Sequence, residues 1–348
     1  MVVSNYWNSA RRSLAKKKGF SAINIAGLAI GMAAALLILT YVAFEYSYDD
    51  MHDRQERIFR VEARFYENGE LTDDWASSSS GYAPAMKQNL SAVEDYTRVG
   101  SQYFPEQVVK YNELLYRETG IGYAEANFFN FFDFKLLKGD RNTCLDGPNK
   151  VVITERIARK YFKGKNPIGK ILIFRSNIGE EACEVTGIME DMPVNTHIRY
   201  NLLISYKTLP KWLDDYWYRH EVYSYVLLKS AGKKEQVEQE FPAMAEKYKT
   251  EEALKNKTWA IQLVNLRDIH LNPQKAYEPE VKGNRSSIWV LICTALAILC
   301  IAWINYINMT VARSMERARE IGIRRASGAS RRQIIGQFLF ESLLTNGI

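Results

Sequence analysis

Cysteine and histidine are scarce in this chain, which has only four of each among 348 residues. No CxxC pair and no Cys/His set at ligand spacing occurs, so the sequence gives no support to a zinc site. Cys144 and Cys183 leave two states open: a disulfide, which an oxidising compartment allows, or two free buried thiols, which we expect. The scattered histidines, which lack an HExxH or triad-like pattern, are expected on the surface or in satisfied hydrogen bonds: His52, His197, His220 and His270.

The sequence also lacks a recognisable set of catalytic or nucleotide-binding residues. Gly164, Gly169 and Lys170 have the spacing of a phosphate-binding loop, but Ile171 stands where Mg²⁺ needs a Ser or Thr hydroxyl. Pro167 is a poor fit for a loop of consecutive N–H donors, so we predict a turn here and no ATPase, cofactor or metal in this chain. Neighbouring acids would point apart on regular elements and are expected to solvate a surface rather than share a proton: Asp49 with Asp50, Asp73 with Asp74, and Asp214 with Asp215.

Charge is absent from two long stretches, Phe20 to Phe44 and Ile288 to Met309, which run 25 and 22 residues without Asp, Glu, Lys, Arg or His. About 20 apolar residues in a helix cross a bilayer core, so both stretches are predicted to span a membrane. A cleaved signal peptide is the alternative for the first, but its apolar region would be only about 7 to 15 residues long. A buried soluble helix is the alternative for the second, and it would not explain the arginines that follow.

Basic residues cluster on the outer flanks of these two stretches. Five of them and no acid precede the first, and seven arginines with two glutamates follow the second. The positive-inside rule therefore predicts that both flanks are cytoplasmic. The formal net charge of +6 then reflects topology, and no nucleic-acid partner is predicted. The flanking cations are Arg11, Arg12, Lys16, Lys17 and Lys18, then Arg313, Arg317, Arg319, Arg324, Arg325, Arg331 and Arg332.

This topology predicts an α-helical membrane protein with a large α+β extracytoplasmic domain inserted between the first and second transmembrane helices. The predicted boundaries are a cytoplasmic segment 1–19, transmembrane helix 20–44, outer domain 45–285, transmembrane helix 286–310, cytoplasmic coupling helix 311–333 and the start of a third span 334–348.

Alternating and turn-bounded segments of the middle region predict its strands and helices. Thr154 is a candidate cap for a helix that starts after a short apolar strand. The predicted strands are Arg57–Tyr66, Val108–Tyr111, Leu114–Tyr116, Val151–Ile153, Lys170–Phe174, Cys183–Met189, Tyr200–Ser205 and Val222–Leu228, and a charged surface helix is predicted at Lys233–Lys249. Five phenylalanines between 128 and 134 form either a ligand patch or a wedge of core packing, and we expect core packing.

The first apolar stretch contains Gly27 and Gly31, a small-xxx-small pair that lets helix backbones approach closely in lipid. A packed helix partner and a lipid-facing surface remain equally open. Asn305 and Asn308 in the second stretch either bond a neighbouring helix or meet water near the cytoplasmic end.

The segment after the second stretch is strongly basic and predicted to be helical up to Gly328, which can end the helix, with Ser330 as the cap of the next one. It is interpreted as a short helix under the membrane, followed by an elbow into a third apolar run. Such a helix is suited to receive a push from a cytoplasmic partner. The alternative is a basic segment that binds only anionic lipid head groups.

Three parts of the chain resemble MacB/FtsX-type ABC transporter permeases. The run Glu320 to Ala326, followed by Gly328, Ala329 and Ser330 and by two arginines, resembles the signature after the second span of that family. The opening, with Asn24, Gly27 and Gly31, is similar to the family's first span. Residues 151–169 and 185–193 resemble the MacB-like periplasmic core domain.

The resemblance implies mechanotransmission in a bacterial inner membrane. A separate cytoplasmic ABC ATPase would hydrolyse ATP, two permease subunits would move in the bilayer as a homo- or heterodimer, and their periplasmic domains would change shape. A periplasmic adaptor or outer-membrane protein is a further expected partner. Carried over by position, the ATPase-coupling residues would be Glu320, Ile321, Gly322, Arg324, Arg325 and Gly328.

The chain departs from the family at its end, because the 15 residues from Ile334 are too few to cross roughly 30 Å. We expect a truncated product that does not transport alone. Two other classes compete with a permease: a two-span sensor with an extracytoplasmic ligand-binding domain, and a membrane-tethered envelope enzyme. The elbow into a third apolar run disfavours the first, and the lack of a catalytic pattern disfavours the second.

Overall fold

The computed structural model describes residues 18–100, 106–176, 179–211, 216–220, 222–249, 254–279, 282–326, 328, 330–332, 334–336 and 339. Most of the predicted N-terminal cytoplasmic segment, the acid pair Asp214 and Asp215, and most of the predicted third span lie outside the described residues. The chain divides into two compact units, one of residues Met1–Phe44 with Arg285–Ile348 and the other of residues Glu45–Asn284.

The first unit is built from the two long helices of the chain. Among the described residues, Ala26–Tyr46 and Arg285–Asn308 are long and apolar enough to cross a membrane. Leu37 is 73 % exposed and Trp303 is 72 % exposed, which the core helix of a soluble protein would not show. These two helices are α1 Lys18–Tyr46 and α6 Arg285–Ala326. The second unit contains the shorter helices α2 Tyr82–Asn89, α3 Phe128–Phe131, α4 Glu155–Phe162 and α5 Lys234–Ala245.

The second unit, here called the outer domain, is an α+β domain around one twisted sheet. Thirteen strands are found in its described part. They are β1 Ile58–Glu67, β2 Glu70–Trp75, β3 Val93–Gly100, β4 Glu106–Tyr111, β5 Leu114–Thr119, β6 Ile121–Ala124, β7 Leu136–Lys138, β8 Lys150–Thr154, β9 Ile171–Ser176, β10 Gly179–Met189, β11 Leu202–Ser205, β12 Val222–Leu228 and β13 Lys257–Asn265.

The strand order is β13-β1-β12-β3-β6-β11-β8-β10-β9-β4-β5, with β2 added to β1 and β7 to β10. Two pairs are parallel, β6 with β11 and β8 with β10, and the other pairs are antiparallel. The predicted strands Val108–Tyr111 and Leu114–Tyr116 form a hairpin, because Tyr111 pairs with Leu114 across a two-residue loop whose Asn112 has φ 50°. Asparagine tolerates this left-handed conformation better than most residues.

Three apolar clusters form the core of the outer domain. One packs α2 and α5 against β1, β12 and β13, and another packs α4 against β4 and β8–β11. The third holds the five phenylalanines of residues 128–134, which are at most 5 % exposed. Their predicted role in core packing is therefore confirmed, and α5 also buries Val237 and Phe241 rather than lying wholly on the surface.

The segment around α4 follows the local prediction closely. The Thr154 hydroxyl accepts a hydrogen bond from the Ile157 N–H at 3.4 Å and caps the helix. Lys163 and Gly164 both have positive φ and end it. Gly169, at φ 78°, donates its N–H to the Val185 carbonyl at 2.8 Å, so the loop-like GxxxxGK spacing forms a turn between α4 and β9.

Candidate functional site

The glycine pair in the first unit lies where α1 meets α6. A Cβ atom built on Gly31 would lie 3.1 Å from the Ala302 Cβ, and one built on Gly27 would lie 3.6 Å from the Asn305 side-chain nitrogen. Asn305 therefore faces the other helix. Small residues at this contact allow the two backbones to approach closely, as van der Waals packing in lipid requires.

Helix α6 continues without a break from the candidate span into the predicted coupling segment and ends at Ala326. This differs from the expectation of a separate short helix, since nothing at residues 309–312 interrupts the helical pattern. Gly328, at φ 88°, donates its N–H to the Arg325 carbonyl at 3.1 Å, and the Ile334 N–H bonds to the Ser330 carbonyl at 3.2 Å. The chain therefore turns at Gly328, as the sequence predicts.

The predicted coupling residues are only partly described. Gly322, Arg325 and Gly328 are exposed, as are the arginines at positions 331 and 332. Glu320, Ile321 and Arg324 lie in α6, but their side chains lie outside the described residues. The described arginines of the segment are thus exposed, Arg325 on α6 and the other two beyond its end.

Within the outer domain, its first segment is bonded to residues 267–270, which precede its last segment. The N-terminal neck, residues 45–52, contributes Glu45, whose Oε2 lies 2.9 Å from the His270 Nε2. The Tyr48 ring stacks on the His270 ring at 3.4 Å between centroids, and Asp50 pairs with Arg267 at 2.9 Å. His270 is thus a satisfied histidine, as expected.

The prediction that neighbouring acids lie on a solvated surface is wrong for Asp49 in the neck. Its side chain is fully buried at φ 59°, and the His197 Nδ1–H donates to its carboxylate at 2.7 Å. The His197 Nε2 lies 2.9 Å from the Tyr225 hydroxyl, and the Thr196 hydroxyl donates to Asp49 at 2.6 Å. Burial alone raises the pKa of Asp49, but His197 and Thr196 outweigh it and lower that pKa.

His52 is buried near the Asp49 carboxylate and is neutral at pH 7. Its Nδ1 accepts the Asp133 N–H at 3.1 Å, so the proton of the neutral ring is on Nε2. Burial lowers the pKa of His52 to about 4, although the nearby Asp49 carboxylate opposes this. Asp49, His197 and Tyr225 form a relay-like chain, but all three are at most 5 % exposed, so no substrate can reach them.

A buried ion network joins β1 to the last segment of the outer domain, the C-terminal strap of residues 272–279. Arg60 is fully buried and donates from Nε to Glu62 at 3.1 Å and from Nη1 to Glu278 of the strap at 2.7 Å. Burial lowers the pKa of Arg60, but the carboxylates of Glu62 and Glu278 more than compensate and raise it.

Two lysines complete this network. Lys275 of the strap lies 2.8 Å from Glu62 and 2.7 Å from Asp74, and Lys282 lies 2.5 Å from Glu278. Burial and the nearby guanidinium of Arg60 lower the pKa of Lys282. Asp74 therefore also departs from the surface role expected for the acid pairs.

No catalytic arrangement was found in the described part of the chain. No group of three His, Cys, Asp or Glu side chains there could hold a metal ion. Cys144 and Cys183 are buried free thiols and not a disulfide, as expected from the sequence. A surface cavity of about 340 Å³ between α4 and β7 is lined by Lys138, Arg159 and Lys165 among others, without a nucleophile or histidine.

Two known protein-domain families match consecutive parts of this chain. Residues 21–244 match the MacB-like periplasmic core domain, and residues 292–346 match the FtsX-like permease C-terminal domain. The macrolide export ATP-binding/permease protein MacB of Neisseria meningitidis is 26 % identical over 241 residues, which is 66 % of this chain and 34 % of that protein. The syringafactin export ATP-binding/permease protein SyfD of Pseudomonas syringae is 28 % identical over 203 residues, 56 % of this chain and 26 % of that protein.

The chain thus spans about a third or less of the length of these curated relatives. Among solved structures, a domain of a permease protein from Porphyromonas gingivalis aligns with a TM-score of 0.55 and 21 % identity, covering 66 % of this chain and 96 % of that domain. This likeness supports the fold of the outer domain.

Proposed function

Since this chain belongs to the MacB-like periplasmic core domain family and is a MacB/FtsX-type permease, we propose that it transmits ATP-driven motion from a separate cytoplasmic ATPase to its outer domain. Proteins of this type are permease components of ABC transporters, located in the inner membrane with a periplasmic domain. The motion would serve export or the handling of envelope substrates, and hydrolysis would occur outside this chain.

The observation that carries this proposal is the unbroken helix α6. It runs for 42 residues from the end of the outer domain to Ala326, a length of roughly 63 Å at 1.5 Å per residue. The candidate span within it ends at Asn308, so the helix continues for several turns beyond. A continuous hydrogen-bonded helix transmits displacement along its axis better than a jointed segment would.

The partners follow from this role. The exposed basic residues around Gly322, Arg325 and Gly328 would contact the ATPase subunit, together with Glu320, Ile321 and Arg324. The contact of Gly27 and Gly31 with α6 would hold the two spans together in the bilayer. A second permease subunit, and a periplasmic adaptor or outer-membrane protein, would complete the assembly in a bacterial inner membrane that the chain crosses more than once.

Co-purification tests the proposal. The chain is co-expressed with an ABC ATPase subunit from the same genome and purified in detergent, and the amount of ATPase retained is measured. The double variant Arg324→Glu and Arg325→Glu reverses two charges of the coupling segment and should reduce retention at least tenfold.

Arg117→Glu is the matched control, because Arg117 is 75 % exposed on β5 of the outer domain and its reversal should leave retention unchanged. Undiminished retention by the double variant would contradict the assignment of the coupling segment.

A further inference from the structure

The C-terminal strap, residues 272–279, is attached to the outer domain mainly by charges. Its Lys275 and Glu278 reach the buried Glu62 and Arg60, and Lys275 also bonds Asp74 and Gln262. Two hydrogen bonds to strap carbonyls add to these. The Ala76 N–H donates to the Ala276 carbonyl at 2.9 Å, and the Tyr223 hydroxyl donates to the Tyr277 carbonyl at 2.8 Å. Within the strap the Glu278 side chain is only 2 % exposed and that of Lys275 is 10 % exposed, whereas residues 273, 274, 276, 277 and 279 are exposed.

Most of what the strap covers is charged, and one aromatic contact adds to it, the Tyr277 ring against Trp75 at 5.7 Å between centroids. Arg60 and Glu62 are both 0 % exposed beneath it. When an apolar surface is uncovered, all the free energy gained by burying it is lost. When a buried ion pair is separated, water hydrates both charges again, and this hydration offsets much of the lost attraction. The interface between the strap and β1 can therefore separate at a much smaller cost than the apolar clusters of the domain.

Backbone strain in the strap favours the same separation. Tyr277 adopts φ 59°, in the left-handed region that bulky side chains avoid. Its ring stacks on His220 at 3.5 Å between centroids, which holds it there. Release of the strap would let Tyr277 return to an ordinary conformation, so the strain lowers the cost of opening.

We propose that the C-terminal strap is a releasable latch, which detaches from β1 as a unit by separating Arg60 from Glu278 and Lys275 from Glu62 while the sheet stays folded. Since the strap precedes α6 in the chain, its release would free the segment through which α6 is joined to the domain. This last step rests on the proposed function, but the latch itself does not.

Native-state hydrogen exchange on the full chain in detergent micelles tests the latch. The amides of Ala76 and Ser78 are matched reporters two residues apart: Ala76 bonds to the strap, whereas Ser78 bonds to the Val222 carbonyl at 2.9 Å. We expect Ala76 to exchange at least tenfold faster than Ser78 and with a weaker dependence on urea, because its exchange needs only local opening.

The variant Glu278→Gln removes one carboxylate from the latch and should speed exchange at Ala76 by a further tenfold, with Ser78 unchanged. Glu118→Gln is the control, since Glu118 is a buried carboxylate on β5 that pairs with Lys160 and not with the strap. Equal rates and equal urea dependence at Ala76 and Ser78 in the wild-type chain would overturn the latch, and this comparison does not depend on whether a variant folds. Since no ATPase is present, failure of the coupling proposal would leave this result intact.

Discussion

Replacing Arg60 by methionine should destabilise the outer domain. Its side chain is fully buried and donates to Glu62 at 3.1 and 2.5 Å and to Glu278 at 2.7 and 3.2 Å. Methionine fills a similar volume but has no charge and no hydrogen-bond donor. The buried carboxylates of Glu62 and Glu278 therefore lose the cation that compensates their negative charges.

The magnitude follows from the partners that remain. Breaking a buried ion pair by removing one member typically costs about 3–5 kcal/mol. Glu62 keeps Lys275 at 2.8 Å and Glu278 keeps Lys282 at 2.5 Å, so neither carboxylate is left alone. We therefore expect the lower end, about 3 kcal/mol in the free energy of unfolding, or a fall in Tm of roughly 6–12 °C.

The assay is urea unfolding of the detergent-solubilised chain, followed by tryptophan fluorescence. Trp75, Trp217 and Trp259 are buried in the outer domain and report its unfolding. The matched control is Arg117→Met, which removes an exposed arginine that pairs with Glu106 at 3.3 Å and should change stability by less than about 0.5 kcal/mol. A loss below about 1 kcal/mol in the Arg60 variant would refute the view that Glu62 and Glu278 depend on Arg60 to compensate their charges.

Three further changes have expected outcomes. Gly31→Leu should separate α1 from α6, because even a Cβ at this position lies 3.1 Å from Ala302, and the yield of disulfides between cysteines placed on the two helices should fall severalfold. Gly139→Ala should cost about 3 kcal/mol in urea unfolding, because φ is 102° and the new Cβ would lie 2.6 Å from a backbone carbonyl oxygen. Acidification should lower Tm as pH falls from about 6.5 to about 4, because the unfolded chain protonates His52 while the folded chain holds its pKa near 4, a loss of up to about 3 kcal/mol. Asp49, whose pKa is lowered by folding, should add a further loss below about pH 4.

Each of these predictions has a control. Ala33→Leu enlarges an exposed position of α1 and should leave the disulfide yield unchanged, whereas an equal effect would rule out the Gly31 contact. Gly69→Ala also sits at positive φ but meets nothing within 4 Å, so it should cost only about 1 kcal/mol. His52→Gln should flatten the Tm profile between pH 6.5 and 4, and an unchanged slope would mean that another group controls it.

Local signals predicted much of the outer domain. The strand Val222–Leu228 has the predicted bounds, and Thr154 caps its helix because a β-region residue with a hydroxyl satisfies an orphan N–H. The strand β13 was missed, although Trp259, Ile261 and Leu263 alternate with more exposed residues as a half-buried strand does. That signal was available in the sequence.

Long-range contacts could not be predicted in the same way. Asp49 belongs to a pair of acids that suggests a solvated surface, but its partner His197 lies 148 residues away. Arg60 and Glu278 are 218 residues apart, and no local pattern marks either as buried. Their burial is decided by the order and register of the strands in the whole sheet. A single sequence does not show which strands pair, so it does not specify that order or register.

The bond between the N-terminal neck and the segment around His270 has an evolutionary consequence. A Cβ built on Gly283 would lie 2.6 Å from the Glu45 carboxylate, so the beginning and the end of the outer domain almost touch. A domain that fixes the gap between its own termini can be inserted into, or exchanged within, a host chain as a cassette. Transplanting residues 45–284 into a related scaffold would therefore carry its spacing with it, so the outer domain can diverge while the helices on either side of it in the chain stay unchanged.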